Sequence, residues 1–217
     1  MGPLSSSGGR AALALLHPSK ALLAKFPRVT LKPSKKLFRA HQSVFGPWWF
    51  SPNGGTPEGG RFDLANGHGT CYLADSPAAA VREYLGRAGV AGVINVAELA
   101  GRVVSTLSVG KPRSLADTTS ARAANHGITK EISTTVDYAL TQEWAEAWSR
   151  DGLDGVRYVG RFDTSHVSRC YGLFGPAGAD PTAAEDSAPA AATDVARKAG
   201  IKVVDNPTVV TIIAPAD

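Results

Sequence analysis

Cysteine is scarce in this 217-residue sequence, which contains only Cys71 and Cys170. The two lie far apart in the chain and lack the short ligand spacings of a zinc site, so we expect no bound metal. Each precedes a tyrosine in an apolar, strand-like run, which predicts two buried small side chains rather than a disulfide. Cysteines that form no disulfide suit a reducing compartment, so the sequence predicts a cytoplasmic protein.

Long hydrophobic runs are also missing. No apolar segment approaches the roughly 20 residues that are needed to cross a bilayer. Ala11–Leu16 is apolar and follows Arg10, but His17 and Pro18 interrupt it. We therefore predict neither a signal peptide nor an association with a membrane.

Acidic side chains are rare in the N-terminal region, where Glu58 is the only one before Arg61. The basic residues before the same point are Arg10, Lys20, Lys25, Arg28, Lys32, Lys35, Lys36 and Arg39. Such an asymmetry indicates either an anionic ligand or nucleic acid, or else a solvated basic arm. Residues 1–9 are rich in Gly, Ser and Pro, which favours disorder. We therefore predict a basic, partly disordered extension over residues 1–35.

The composition is otherwise that of a globular protein, with 43% hydrophobic and 19% charged residues. Predicted strands scattered among helices indicate the α+β class: a single domain with a mixed central β-sheet flanked by helices. We place this domain at residues 36–175. Residues 176–193 are Ala/Pro-rich with almost no large apolar side chain, which predicts a loop or linker. Residues 194–217 are predicted to form a helix and a strand that close the domain.

The clearest local signals lie in the stretch that begins at Arg61. A loop there is followed by a predicted strand, Thr70–Ala74, and then by a helix. Ser76 is suited to cap that helix, and Pro77 is suited to its first position, where a missing N–H costs nothing. Glu83 lies in the second turn, so it is not needed as a cap.

Further strands are predicted at Lys36–His41, Val90–Val96, Arg102–Leu107, Gly155–Val159 and Arg169–Phe174. One long helix is predicted at Ile132–Arg150. Four residues recur there at every fourth position and define its buried face: Val136, Leu140, Trp144 and Trp148. The aromatic cluster in Val44–Phe50 is interpreted as core, with a stacking surface for a base or nicotinamide as the alternative. The tetrapeptide Gly-Arg-Phe-Asp occurs twice, at 60–63 and 160–163, which is too short a match to indicate duplication.

Four side chains near these elements could act together on a nucleotide: Arg39, Arg61, Tyr72 and Glu83. An arginine presents a planar fork that can hold a pyrophosphate by two parallel bonds. A tyrosine offers a face for stacking and a hydroxyl for orientation. A partly shielded glutamate can stabilise the positive charge that develops on a sugar when an N-glycosidic bond breaks. Each side chain also has a purely structural interpretation: an ion-paired arginine, a core tyrosine and a surface glutamate.

Seven segments follow one another in a recognisable order: Leu37–Arg39, Gly60–Phe62, Tyr72–Ala74, Ala79–Glu83, Thr141–Ala145, Asp154–Tyr158 and Leu173–Phe174. In these segments the chain resembles the RES domain, a bacterial family named for conserved Arg, Glu and Ser residues and found mostly as toxins of toxin–antitoxin pairs. The resemblance implies a fold similar to that of ADP-ribosyltransferase toxins, with an NAD pocket in a mixed α/β core. It also implies NAD as the substrate, no metal, and a cognate antitoxin as a protein partner.

The resemblance assigns roles to the four side chains. Arg39 would grip the NAD phosphates, and Arg61 would be a second anion contact. Tyr72 would line the nicotinamide side, and Glu83 would be the catalytic carboxylate. The implied catalytic set is therefore Arg39, Tyr72 and Glu83.

The family serine is the point at which the chain departs from the pattern. A Tyr-x-Ser-Arg sequence is expected, but the chain reads Tyr158-Val159-Gly160-Arg161. Ser165 and Ser168 follow closely and are the candidates to supply the missing hydroxyl and so to contact NAD. Because such a hydroxyl would mainly orient the ribose or phosphate, its loss affects rate and acceptor choice more than NAD binding.

The leading hypothesis is an NAD-consuming, toxin-type enzyme that cleaves the nicotinamide–ribose bond by hydrolysis or phosphorolysis. The first alternative is an ADP-ribosyltransferase that modifies a host protein. The second is a non-enzymatic protein that binds nucleic acid through the basic N-terminal arm. No recognisable nucleic-acid motif accompanies that arm, so this alternative ranks last. The sequence favours no particular oligomeric state.

Overall fold

The computed structural model describes residues 14–86, 92–162, 167–180 and 185–205. The strands in these ranges are β1 (Arg28–Leu31), β2 (Leu37–Gln42), β3 (Trp49–Phe50), β4 (His68–Ala74), β5 (Val93–Asn95), β6 (Arg102–Leu107), β7 (Arg113–Asp117), β8 (Gly155–Val159), β9 (Arg169–Pro176), β10 (Gly178–Ala179), β11 (Glu185–Ala191) and β12 (Lys202–Val204). The α-helices there are α1 (Lys20–Leu23), α2 (Pro77–Leu85), α3 (Glu131–Thr134), α4 (Ala139–Arg150) and α5 (Ala192–Lys198). Short 3-10 segments occur at Val96–Leu99 and Ala121–His126.

Within the described residues, eight strands form one mixed sheet in the order β1-β7-β8-β9-β4-β2-β6-β11. β7 and β8 run parallel, whereas the other neighbours in the sheet are antiparallel. Two small strand pairs accompany this sheet, β3 with β10 and β5 with β12. The predicted α+β class with a mixed central sheet is therefore confirmed.

The core consists of two clusters of buried side chains, divided by the sheet. β4 shows the division because its side chains alternate between the two faces. Cys71 and Leu73 belong to one cluster, whereas Ala74 belongs to the other and Tyr72 packs against it. Helices α2, α4 and α5 contribute side chains only to the cluster on the Tyr72 side. Cys71 and Cys170 are both buried and neither forms a disulfide, as predicted.

The sheet opens between β2 and β4. In the described part of the chain these strands pair only where Phe38 lies opposite Ala74. By contrast, β2 pairs with β6 along its whole length, and β4 does the same with β9. Because β2 and β4 are each held by their other neighbour, they separate beyond that single pair and leave room for a cleft.

Helix α2 has the start that the sequence predicted. The backbone of Ser76 is extended, and its side chain accepts a hydrogen bond from the amide of Ala79 at 3.1 Å. Pro77 occupies the first turn, where its missing N–H leaves no helical bond unmade. The helix ends before Gly86, whose positive φ of 55° suits a residue without a side chain.

The predicted helix Ile132–Arg150 is instead two helices, α3 and α4, with extended backbone at Thr135 between them. Val136, expected on the buried face, is 65% exposed. Trp144 and Trp148 are fully buried, as the helical period predicted. The single-helix prediction was wrong at its start because the break interrupts the period.

Residues 176–193, predicted as a loop or linker, instead contain two strands. β10 pairs with β3, and β11 pairs with β6 at the edge of the main sheet. The ladder of β11 shifts register between Ser187 and Ala190, next to Pro189, which has no backbone N–H to donate. Because strand pairing uses backbone groups, a segment of small residues can join a sheet edge without large apolar side chains. The predicted C-terminal helix and strand are α5 and β12, and residues 206–217 lie outside the described part.

The predicted N-terminal extension is partly integrated into the fold, although its first thirteen residues lie outside the described part. Leu15 and Phe26 are buried in the core cluster on the Tyr72 side. β1 forms an edge of the main sheet, and its Arg28 makes an ion pair with Asp151 at 2.8 Å. No helix in the described ranges is long and apolar enough to cross a bilayer.

Candidate active site

A cleft of about 310 Å³ lies where β2 and β4 separate. Strand β2 contributes Phe38, Arg39 and Ala40 to its walls, and α2 contributes Glu83. The turn before β4 contributes Arg61. The volume is at the lower end of the range for small-molecule sites. Tyr72 lines the same cleft, so the structure brings Arg61, Tyr72 and Glu83 together.

Arg61 supplies a buried positive charge, and only 7% of its surface is exposed. Its Nη1 donates to the carbonyl oxygen of Thr135 at 2.9 Å, in the break between α3 and α4. The guanidinium also lies over the ring of Tyr138, 4.7 Å from its centroid, in cation–π contact. Burial lowers the pKa of Arg61, and the neighbouring Tyr138 opposes that shift. A guanidinium stays charged in proteins, so the cleft contains a permanent cation.

The turn that carries Arg61 is held by hydrogen bonds from two directions. Thr141 Oγ1 donates to the Arg61 carbonyl at 2.6 Å, and Gln142 Nε2 donates to the Gly60 carbonyl at 2.9 Å. On the other side, Asp63 Oδ2 accepts from the amide of Gly60 at 2.8 Å. These bonds fix the backbone of Arg61 before any ligand binds, which lowers the cost of positioning its side chain.

The Tyr72 hydroxyl supports the same turn. It donates to Asp63 Oδ1 at 2.7 Å and accepts from the amide of Phe62 at 2.8 Å. Burial, and then the charge of Asp63, raise the pKa of Tyr72 well above its usual value, so the phenol keeps its proton. A Cβ on Gly60 would lie 2.7 Å from the hydroxyl oxygen, so this position requires glycine. The hydroxyl is thus used within the protein, which leaves the aromatic ring for a ligand.

Glu83 lines the cleft as a half-buried carboxylate. Its Oε1 accepts from the backbone amide of Phe162 at 3.1 Å. A Cβ on Gly160 would lie 2.9 Å from the same oxygen. Gly160 stands where the RES pattern has its serine, and the absence of a side chain allows the carboxylate to approach this turn.

Arg39 also lines the cleft, but its Nη1 is engaged in other contacts. This atom lies within hydrogen-bond distance of the carbonyl oxygens of Pro47 (2.9 Å) and Trp49 (2.8 Å). It also lies 2.8 Å from Cys71 Sγ, in the core cluster on the face opposite Tyr72. The structure therefore places Arg39 beside the other predicted residues while its Nη1 holds the segment that leads into β3.

Ser165 and Ser168 were the candidates to replace the family serine. Ser165 lies outside the described residues, so its role stays a prediction. Ser168 is described, but it is not among the described residues that line the cleft. A role for Ser168 therefore stays a prediction as well.

Comparison with known proteins identifies the family. The RES domain profile matches residues 36–195 of the chain. The chain belongs to the RES domain family. Because the matched segment ends at residue 195, the RES domain includes β10 and β11. The family resemblance stated from the sequence is thus confirmed.

This RES protein also matches a solved structure, the crystal structure of the M. tuberculosis MbcT–MbcA toxin–antitoxin complex. The match has a TM-score of 0.53 at 20% sequence identity, and it covers 67% of this chain and 76% of the matched chain. At that identity the likeness establishes the fold. A comparison with curated proteins finds no match.

Tyr138, Tyr158 and Arg161 are among the cleft residues of this RES protein that were not assigned from the sequence. Burial, then the neighbouring Cys170 and Glu83, raise the pKa of Tyr158 well above its usual value, so its phenol stays neutral. Tyr138 carries the guanidinium of Arg61 on its ring, as described above. The repeated Gly-Arg-Phe-Asp tetrapeptide was the available signal for Arg161, since Arg161 is the counterpart of Arg61 in the second copy.

Proposed function

We propose that this RES protein is an NAD-consuming enzyme that cleaves the bond between nicotinamide and ribose. The observation that carries the proposal is the convergence of Arg61, Tyr72 and Glu83 on one cleft in a chain of this family. A fixed cation suits the pyrophosphate, an aromatic ring suits the nicotinamide, and a carboxylate suits the charge that develops on the ribose.

The carboxylate of Glu83 would act on the transition state. Cleavage of the N-glycosidic bond passes through an oxocarbenium-like ribose, while nicotinamide leaves as a neutral molecule with the bonding electron pair. The amide of Phe162 holds Glu83 Oε1 at 3.1 Å, so the negative charge is in position before the bond breaks. Addition of water then yields ADP-ribose and a proton, whereas addition of phosphate yields a phosphorylated ADP-ribose.

Arg61 would be the main contact of the pyrophosphate. It lines the cleft on a turn that is already fixed, and its charge is permanent. The Nη1 of Arg39 already contacts the carbonyls of Pro47 and Trp49, so Arg39 would offer the pyrophosphate only the remaining N–H groups of its fork. We therefore give Arg61 the leading role and Arg39 a secondary one.

Nicotinamide release tests this proposal. Purified protein is incubated with NAD, with and without inorganic phosphate, and nicotinamide is measured by chromatography. Release without phosphate indicates hydrolysis, and release that needs phosphate indicates phosphorolysis. Adding labelled NAD to a cell lysate tests the transferase alternative, which would leave label on a discrete protein band. A protein that releases no nicotinamide in any of these reactions would contradict the proposal.

We also propose that a protein partner covers the cleft. The matched MbcT structure is that of a complex with an antitoxin. Tyr84, which is 38% exposed, lines the cleft, and Val136 lines a neighbouring cavity. Exposed apolar side chains beside a cleft are typical of an interaction surface. A partner that inhibits nicotinamide release should inhibit Val136→Asp less, and equal inhibition of both proteins would contradict this placement.

A further inference from the structure

Two guanidinium groups converge on one carbonyl oxygen beside the cleft. Arg61 Nη1 lies 2.9 Å from the oxygen of Thr135, and Arg161 Nη1 lies 3.4 Å from it. Because both nitrogens lie near the same oxygen, they are at most 6.3 Å apart. The arginines come from the two copies of Gly-Arg-Phe-Asp, so the structure brings the arginine of each copy to the same carbonyl oxygen.

Glu83 is the carboxylate that faces this charge: it lines the same cleft, and its charge opposes the lowering of the Arg61 pKa. In the part of the chain that the structure describes, neither guanidinium forms an ion pair with a carboxylate. Each contacts an aromatic ring instead, Tyr138 for Arg61 and Phe162 for Arg161. Two like charges this close repel each other, and burial strengthens the repulsion. Burial and, to a smaller extent, Arg161 accordingly lower the pKa of Arg61.

Arg161 stands where three cavities meet. It lines the cleft of about 310 Å³, a cavity of about 650 Å³ beside the start of α4, and a cavity of about 550 Å³ beside the segment Ala121–His126. A site at this junction is open to a ligand that extends in more than one direction. A dinucleotide has that shape, with its phosphates in the middle.

We propose that Arg61 and Arg161 together bind a phosphate group, which lies between their two forks. A phosphate has several acceptor oxygens and can carry two negative charges, so it matches two guanidinium groups better than a single carboxylate does. Its source is either the pyrophosphate of a dinucleotide or inorganic phosphate that acts as the acceptor. The assignment of either source to NAD cleavage rests on the proposed function, whereas anion binding itself does not.

Calorimetric titration of the purified full chain tests the site directly. Sodium pyrophosphate and sodium phosphate are titrated separately at constant ionic strength. Arg161→Gln should weaken the binding of whichever anion wild type binds more tightly by about 10- to 100-fold, because charge-assisted bonds are lost. Arg161→Lys keeps the charge but not the fork, so its affinity should fall between those of Arg161→Gln and wild type. Arg150→Gln removes the same charge from a side chain that is 77% exposed, and should bind like wild type.

Three results would overturn the inference: wild type that binds neither anion, Arg161→Gln that binds both as tightly as wild type, or Arg150→Gln that is weakened equally. Thermal unfolding establishes that each variant is folded. If Arg161→Gln does not fold, the anion affinity of Arg161→Lys is compared with that of wild type instead. In the nicotinamide assay, a raised KM for NAD in Arg161→Gln identifies the dinucleotide as the source. A raised KM for inorganic phosphate in Arg161→Gln identifies the acceptor phosphate as the source. If wild type binds pyrophosphate but releases no nicotinamide, the phosphate site of Arg61 and Arg161 is supported and the proposed function is contradicted.

Discussion

Adding a side chain at Gly160 should impair catalysis more than folding. The residue does not have a positive φ, so alanine brings no left-handed strain. The new Cβ would lie 2.9 Å from Glu83 Oε1 and 3.1 Å from Cys170 Sγ, where an ordinary contact starts at 3.4 Å. The carboxylate must therefore withdraw by about 0.5 Å, which weakens its hydrogen bond from the amide of Phe162.

The size of the effect follows from that displacement. A misplacement of about 1 Å can cost roughly 100-fold in rate, so half of it corresponds to about tenfold, or about 1.4 kcal/mol on the barrier. The end of Glu83 can move without disturbing the core, and the buried Sγ of Cys170 needs to yield by only about 0.3 Å, so the free energy of unfolding should fall by no more than about 1 kcal/mol. Gly160→Ser causes the same displacement but can donate a hydrogen bond to the carboxylate, so it should lose less activity than Gly160→Ala.

Initial rates of nicotinamide release, measured with thermal unfolding on the same preparations, separate the two effects. We expect kcat of Gly160→Ala to fall about tenfold while Tm stays near that of wild type. Wild-type kcat in Gly160→Ala would refute the claim that the carboxylate must lie against this turn. A large fall in Tm would instead assign the loss to the fold.

Tyr72→Phe should destabilise the protein by about 1–3 kcal/mol in urea denaturation, because Asp63 and the amide of Phe62 each lose a buried partner. An unchanged free energy of unfolding would contradict the assigned bonds. Asp117→Asn should cost about 1.5–3 kcal/mol near neutral pH, since the carboxylate accepts two bonds from Arg157, at 2.6 and 3.1 Å. Burial alone would raise the pKa of Asp117, but the hydrogen bonds it accepts, Arg157 foremost, outweigh burial and lower it. That stabilisation is complete above the unfolded pKa of about 4 and is lost as pH falls through the lower folded pKa, so the gap between wild type and Asp117→Asn should narrow in acid. A gap that widens in acid would contradict the assigned sign.

The elements that the sequence predicted well are those whose causes lie in adjacent residues. The start of α2 depends on Ser76 and Pro77, which act on the next turn of the same helix. The break at Thr135 has a weaker local signal, because Asp137 Oδ1 accepts from the amide of Ala139 at 3.0 Å. The carbonyl that the break exposes serves two arginines from distant turns. Strand β11 is likewise held by the backbone of β6 rather than by its own side chains.

The same distinction applies to the candidate site. Arg61, Tyr72 and Glu83 lie on three consecutive elements, so sequence order alone suggested that they meet. Gly160 and Arg161 arrive from β8, which is connected to those elements only through the sheet. Their contacts with Glu83 and with the Thr135 carbonyl depend on that pairing, which short-range sequence patterns do not contain.

The measurement that tests the central claim most directly compares nicotinamide release from NAD by wild type and by Glu83→Gln at equal concentrations of folded protein. Glutamine keeps the shape of Glu83 and an oxygen that can accept from the amide of Phe162, but it removes the negative charge. We predict a fall in kcat of at least about 100-fold with little change in Tm. Release by Glu83→Gln at the wild-type rate would contradict the claim that this carboxylate stabilises the ribose during cleavage.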